Sequence, residues 1–83
     1  TINNTNFLQE QIEHSELVES LNDNFDSKII ENSLSSIKSL LKTTIDSIKS
    51  SFESNDFENV WQNLSKLRFY IKNINQLVKL RNK

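Results

Sequence analysis

The chain has 83 residues, with 10 basic and 11 acidic side chains and no cysteine, glycine or proline. This length allows one domain, the balanced charge gives no field for holding a nucleic-acid backbone, and the lack of cysteine excludes disulfides and thiolate metal sites. Apolar runs of two or three residues are far too short to span a membrane, so we expect neither nucleic acid nor a membrane as a partner.

Two polar clusters divide the chain into three segments. These clusters, 22–27 and 53–56, are rich in Asn, Asp and Ser, which cap helices and form turns. Asn55, followed three residues later by Glu58, is typical of a capping box. Short links make successive helices antiparallel neighbours. We therefore predict an all-α fold, an antiparallel up-down-up three-helix bundle forming a single domain over 1–83, with helices at 5–22, 27–53 and 56–81.

The first segment divides its large apolar residues between two faces. At about 100° per residue, one face carries the side chains that we expect to pack on the other helices. Leu8 and Ile12 lie roughly 120° or more around the helix from that face, so they cannot both be central to the core. The inner face comprises Phe7, Glu10, His14, Leu17, Val18 and Leu21.

The second and third segments each place apolar residues at alternating spacings of three and four, which predicts a buried stripe. Phe69 lies nearly opposite the third stripe, so we predict that it faces water. Tyr70, Leu77 and Leu80 also lie off that stripe, and either a second, self-associating surface or packing on neighbouring helices remains open for them. The predicted stripes are Ile30, Leu34, Ile37, Leu41, Thr44 and Ile48, and then Phe57, Val60, Leu64, Leu67, Ile71, Ile74 and Val78.

The outward apolar residues of the first and third segments fall at one axial level. Reflecting position 8 through the two turns reaches about position 68, using the common rise per residue. Leu8, Ile12 and Phe69 are therefore predicted to form one exposed patch, and such patches often bind partners. The alternative is that they only widen the core or cover a helix edge. The polar neighbours of the patch are Glu13 and Glu16, with Gln9 at its edge.

No combination of side chains predicts catalysis. His14 is the sole histidine and lies on an apolar face, so we interpret it as a packing residue. Metal sites need several converging ligands, and the serines have no base to activate them. Glu10, Glu13 and Glu16 are interpreted as a solvated face rather than an acid-base cluster. We therefore predict a protein that is not an enzyme and needs no cofactor.

Two motifs resemble a known family. The stretches FLQEQIEHSELVESL, from Phe7, and NDFENVWQNLSKLRFY, ending at Tyr70, resemble the C-terminal domain of HscB-type J-domain co-chaperones, which serve iron-sulfur cluster assembly. The last helix of that family carries a Lys-Leu-Arg-Phe signature, which is residues 66–69 here. The resemblance extends from Phe7 to Leu80, although Gln9 stands where the family usually has methionine.

The resemblance implies a non-catalytic domain that binds the IscU-type scaffold protein and presents it to a DnaK-class chaperone through a J domain. That J domain, with its His-Pro-Asp tripeptide, is missing from a chain without proline. The implied location is the mitochondrial matrix in a eukaryote and the cytoplasm in a bacterium. The competing interpretation is a structural helical module that self-associates through its stripes, for example as a homodimer. The implied scaffold contacts are Leu8, Ile12 and Phe69, with carboxylates at Glu13 and Glu16 and Gln9 in the place of a contact methionine.

Overall fold

A computed structural model describes the backbone of residues 2–82 and the side chains of residues 7–82. Three α-helices follow one another: α1 (Ile2–Asp23), α2 (Ser27–Glu53) and α3 (Phe57–Arg81). The predicted all-α three-helix bundle is confirmed, with α1 beginning earlier than predicted. The bundle is elongated, with extents of 45 × 22 × 15 Å. Over residues 2–82, no helix has an apolar stretch that would reach across a lipid bilayer.

The turn between α2 and α3 depends on a left-handed asparagine. Asn55 has a φ of 60°, a conformation that asparagine tolerates better than most residues other than glycine. Its N–H donates to the Phe52 carbonyl at 3.2 Å, and the Asp56 N–H donates to the Ser51 carbonyl at 2.8 Å. This pair of hydrogen bonds closes a helix C-terminus. Asn55 therefore ends α2, and the prediction that it caps α3 in a capping box is wrong.

Aspartates begin both later helices. The Asp26 carboxylate accepts hydrogen bonds from the backbone N–H groups of Lys28 at 3.0 Å and Ile29 at 3.2 Å. The Asp56 carboxylate accepts one from the Asn59 N–H at 3.2 Å. A helix start leaves such N–H groups without partners, and a capping side chain is typically worth about 1 kcal/mol. The polar clusters seen in the sequence therefore set where the second and third helices begin.

The buried face of α2 is the predicted stripe. Ile30 and Leu34 are almost completely buried, and both belong to the main hydrophobic cluster. Leu41 and Ile48 are half-buried at its edge. The spacing of apolar residues therefore identified this face correctly. The buried residues of the stripe are Ile30, Leu34, Ile37 and Thr44.

The buried face of α3 is rotated from the predicted stripe. Ile71 was placed in the stripe but is 46% exposed, whereas Leu77, which was placed outside it, is 0% exposed. Tyr70 and Leu80 also belong to the core cluster, so packing on neighbouring helices, not a second surface, explains them. The stripe was correct in part, because Val60 is buried, but Phe57 was also placed in it and is 54% exposed. It missed two inner positions because these are asparagines. The buried residues of α3 are Val60, Asn63, Tyr70, Asn73, Leu77 and Leu80.

Polar side chains join α2 and α3 near their connecting turn. Asn63 Nδ2 donates to Ser47 Oγ at 3.2 Å and to the Asn59 carbonyl at 2.8 Å, and Asn59 Nδ2 donates to Ser51 Oγ. Buried amides need such partners, because an unsatisfied one costs roughly 1 to 3 kcal/mol. These bonds favour one register of α3 on α2.

Helix α1 packs on α3 and leaves a gap beside α2. No Cα of α1 lies within 8 Å of a Cα of α2 in the part of the chain that the structure describes, whereas α1 and α3 approach closely. Leu21, near the end of α1, is buried in the main cluster. This arrangement positions α1 with one side on α3, one side open to water and one side along a cleft.

Candidate partner-binding surface

Three aromatic rings hold the first half of α1 on α3. The Phe69 ring lies edge-to-face with Phe7, with ring centroids 5.2 Å apart, and with His14 at 5.9 Å. Such edge-to-face pairs are worth about 0.5 to 1.5 kcal/mol beyond the area that they bury. Phe69 is half-buried and packs against the main core. The prediction that Phe69 faces water is therefore wrong, because Phe7 and His14 lie against it.

Two polar contacts add to this attachment of α1. The Tyr70 hydroxyl donates to Glu10 Oε2 at 3.0 Å, and His14 Nε2 shares a hydrogen bond with Gln76 Oε1 at 2.8 Å. His14 thus has both ring packing and a polar partner, in agreement with its interpretation as a packing residue. Among residues 7–82, no three His, Asp or Glu side chains converge closely enough to hold a metal ion.

The pKa of the Tyr70 hydroxyl is raised by its surroundings. Burial, followed by the hydrogen bond to the Glu10 carboxylate and the charge of that carboxylate, raises the pKa of Tyr70 from 10.0 to about 12. All three effects oppose formation of the phenolate, because it would be poorly solvated and would lie beside a negative charge. The folded protein therefore keeps the Tyr70 proton at pH values where an unfolded tyrosine loses it.

This pKa difference predicts an alkaline loss of stability. We expect the free energy of unfolding to fall as pH rises from about 10 towards about 12, since the unfolded state releases the Tyr70 proton first. Below about pH 10 the contribution of Tyr70 is constant. Urea unfolding at pH 9 to 11.5, compared with Tyr70→Phe, measures it. The substituted chain should show a shallower pH dependence, and equal slopes in both proteins would contradict the assignment.

The opposite side of α1 carries the two outward aliphatic residues. Leu8 is 57% exposed and Ile12 is 47% exposed, although Phe7 and His14, their neighbours in sequence, pack on α3. The helical repeat explains the division, since residues i and i+4 share a face and residue i+1 is turned by about 100°. The prediction that these two residues lie outside the core is confirmed.

Carboxylates surround this aliphatic pair. Glu13 and Glu16 are exposed, and Gln9 Nε2 donates to Glu13 Oε1 at 3.3 Å along the helix. The ion pair found among residues 7–82 joins Arg81 and Glu31, so no described cation neutralises Glu13 or Glu16. The acidic side chains of α1 are Glu10, Glu13, Glu16, Glu19 and Asp23, and its sequence contains no lysine or arginine.

The structure separates the predicted contact residues into two groups. Five lie on the outer ridge of α1, which we define as Leu8, Gln9, Ile12, Glu13 and Glu16. Phe69 instead lies between α3 and the inner face of α1, where it packs against Phe7 and His14. It therefore supports the ridge from the opposite side of α1. The roles of all six residues in binding a partner stay predictions.

A cleft between α1 and α2 was not predicted from the sequence. It has a volume of about 380 Å³, and the floor is formed by Phe69, Tyr70 and Asn73 of α3. Such a feature depends on how far apart two helices stand, which no periodicity reports. The walls comprise Glu10, Glu13, His14 and Leu17 from α1 and Asn32, Ser33, Ser36, Ile37 and Leu40 from α2.

Three exposed aromatic residues lie at the α2–α3 turn. The rings of Phe52 and Phe57 are edge-to-face with centroids 6.2 Å apart. Trp61 lies one helical turn after Phe57 and is 70% exposed. The sequence did not predict this cluster, since the apolar spacing placed Phe57 in the buried stripe of α3. We refer to Phe52, Phe57 and Trp61 as the aromatic tip.

One comparison with known proteins gives a match. A family model described as the HSCB C-terminal oligomerisation domain matches residues 3–79, a range that includes nearly all of the three helices. No curated protein and no solved structure shows significant similarity to the chain. The matched range includes residues of all three helices as well as the outer ridge.

Proposed function

Because the chain belongs to the family of C-terminal domains of HscB-type co-chaperones, we propose that it binds an IscU-type iron-sulfur scaffold protein. A J domain would then present the bound scaffold to a DnaK-class chaperone. The domain acts by binding and carries out no reaction of its own. Its contact surface is the outer ridge of α1.

The exposure of Leu8 and Ile12 is the observation that carries this proposal. Both project into water, whereas Phe7, Leu17 and Leu21 of the same helix turn towards α3 or the core. Burying a leucine or isoleucine side chain is worth roughly 1.5 to 3 kcal/mol. Two such residues one turn apart, framed by polar groups, have the composition of an interface anchor.

The carboxylates of the ridge orient the bound partner. Glu13 and Glu16 lie beside the aliphatic pair without a described cationic partner. Exposed charges of this kind mainly accelerate encounter with an oppositely charged surface and select its orientation, and salt weakens them. The scaffold surface that fits the ridge therefore has an apolar centre and basic residues around it.

Self-association is the second candidate function. The α2 stripe that would mediate it is buried within the single chain, so a second copy would have to use other apolar surface. The aromatic tip offers such surface, and the description of the matching family names oligomerisation. In this case the tip, and not the outer ridge, would be covered by the second copy.

Titration of the isotope-labelled chain with a purified IscU-type scaffold tests the proposal. We expect the amide shifts to change most over residues 8–16, with saturation at micromolar scaffold, while sedimentation shows a monomeric free chain. An absence of shift changes at stoichiometric scaffold would overturn the proposal. Concentration-dependent shifts at the aromatic tip, together with a doubled mass in sedimentation, would favour self-association.

A further inference from the structure

The cleft between α1 and α2 has the dimensions of an anchor site. Its volume of about 380 Å³ is near the lower end of the roughly 300 to 1,000 Å³ found for ligand sites. Leu17, Ile37 and Leu40 form the apolar part of its walls, and Leu40 is 41% exposed. The space therefore suits one or two apolar side chains rather than a whole helix.

The charges around the cleft define what its occupant carries. Glu10 and Glu13 line the α1 wall, while the α2 wall contributes only uncharged polar groups and apolar side chains. No lysine or arginine is among the lining residues. The Glu10 carboxylate is half-buried and accepts from the Tyr70 hydroxyl, whereas Glu13 is exposed and accepts only from Gln9 along the helix. Glu13 is therefore the more accessible acidic group. A lysine or arginine beside an apolar group complements this cleft.

The cleft is continuous with the outer ridge of α1. Glu13 belongs to both, and Phe69, which supports the ridge, also forms part of the cleft floor. Glu13 lies about 100° around α1 from Ile12, on the side that lines the cleft. A protein that covers Ile12 and continues around α1 past Glu13 reaches the cleft directly.

We infer that the cleft receives an apolar side chain of the scaffold, from a segment in which a lysine or arginine lies next to that side chain and pairs with Glu13. This inference rests on the proposed function. The outer ridge and the cleft then hold the partner on two sides of α1. The apolar anchor supplies affinity, and the ion pair determines which way the segment runs.

Filling the cleft from its α2 wall tests the inference without altering the ridge. Ser36→Leu places a larger side chain in the wall, whereas Ser35→Leu makes the same change on a neighbouring residue that does not line the cleft. Ser35 lies about 100° around α2 from Ser36. By calorimetry with a purified IscU-type scaffold, we expect Ser36→Leu to weaken binding tenfold or more and Ser35→Leu to change it less than twofold.

A second measurement does not depend on any substitution. In the unaltered 83-residue chain, the Leu40 methyl signals should shift when scaffold is added, while those of Ile45, exposed elsewhere on α2, should not. Normal binding by a folded Ser36→Leu chain, or unmoved Leu40 signals in a saturated complex, would overturn the cleft inference but leave the proposed function intact. Failure of the unaltered chain to bind scaffold would overturn both.

Discussion

Leu77→Ala is expected to lower the free energy of unfolding by about 2 to 5 kcal/mol, whereas Ile71→Ala lowers it by less than about 1 kcal/mol. Leu77 is fully buried in the main cluster, and its truncation leaves a cavity among α2 and α3 side chains. Ile71 already leaves nearly half of its surface in water. Small domains are stable by only about 5 to 15 kcal/mol, so the first change removes a large share.

Urea unfolding followed by helical circular dichroism measures both changes on one scale. The two substitutions form a matched pair, because each truncates a large aliphatic residue of α3 to alanine. Equal losses, or a larger loss for Ile71→Ala, would show that α3 buries the stripe expected from the sequence pattern rather than the face that includes Leu77. The comparison therefore tests the rotation of α3 directly.

The sequence specifies the number, type and approximate limits of the elements better than the rotation of each helix. In α2, polar residues occupy most outward positions, so the apolar stripe identifies the buried face. In α3, exposed Ile71 competes with buried Leu77, and the inner face includes Asn63 and Asn73. A hydrophobic pattern treats buried asparagines as solvent-facing, because it does not report their hydrogen-bond partners.

The candidate site was predicted only in part from the sequence. The helical repeat sufficed to place Leu8 and Ile12 outside the core, since both lie far around α1 from the face that carries Phe7, His14 and Leu21. The axial level of Phe69 was also predicted correctly, as its contact with Phe7 shows. Its direction was not, because that depends on how α3 is rotated against α1. The cleft requires the distance between α1 and α2, which is a property of the assembled bundle.

The last expected result concerns the outer ridge. Leu8→Ala combined with Ile12→Ala should weaken scaffold binding by about 2 to 3 kcal/mol, which corresponds to roughly 30- to 150-fold in Kd. The melting temperature should stay nearly unchanged, because both residues are about half exposed and alanine is the better helix former. Calorimetric titration with the scaffold gives the first quantity, and thermal unfolding gives the second.

A control pair separates ridge contacts from a general loss of surface hydrophobicity. Ile29→Ala combined with Ile45→Ala removes two aliphatic side chains of α2 that are exposed to a similar degree but lie outside both the ridge and the cleft. This chain should bind the scaffold within about twofold of the unaltered one. If the two double substitutions weakened binding equally, Leu8 and Ile12 would have no special role. If the ridge substitution unfolded the domain instead, these residues would belong to its core.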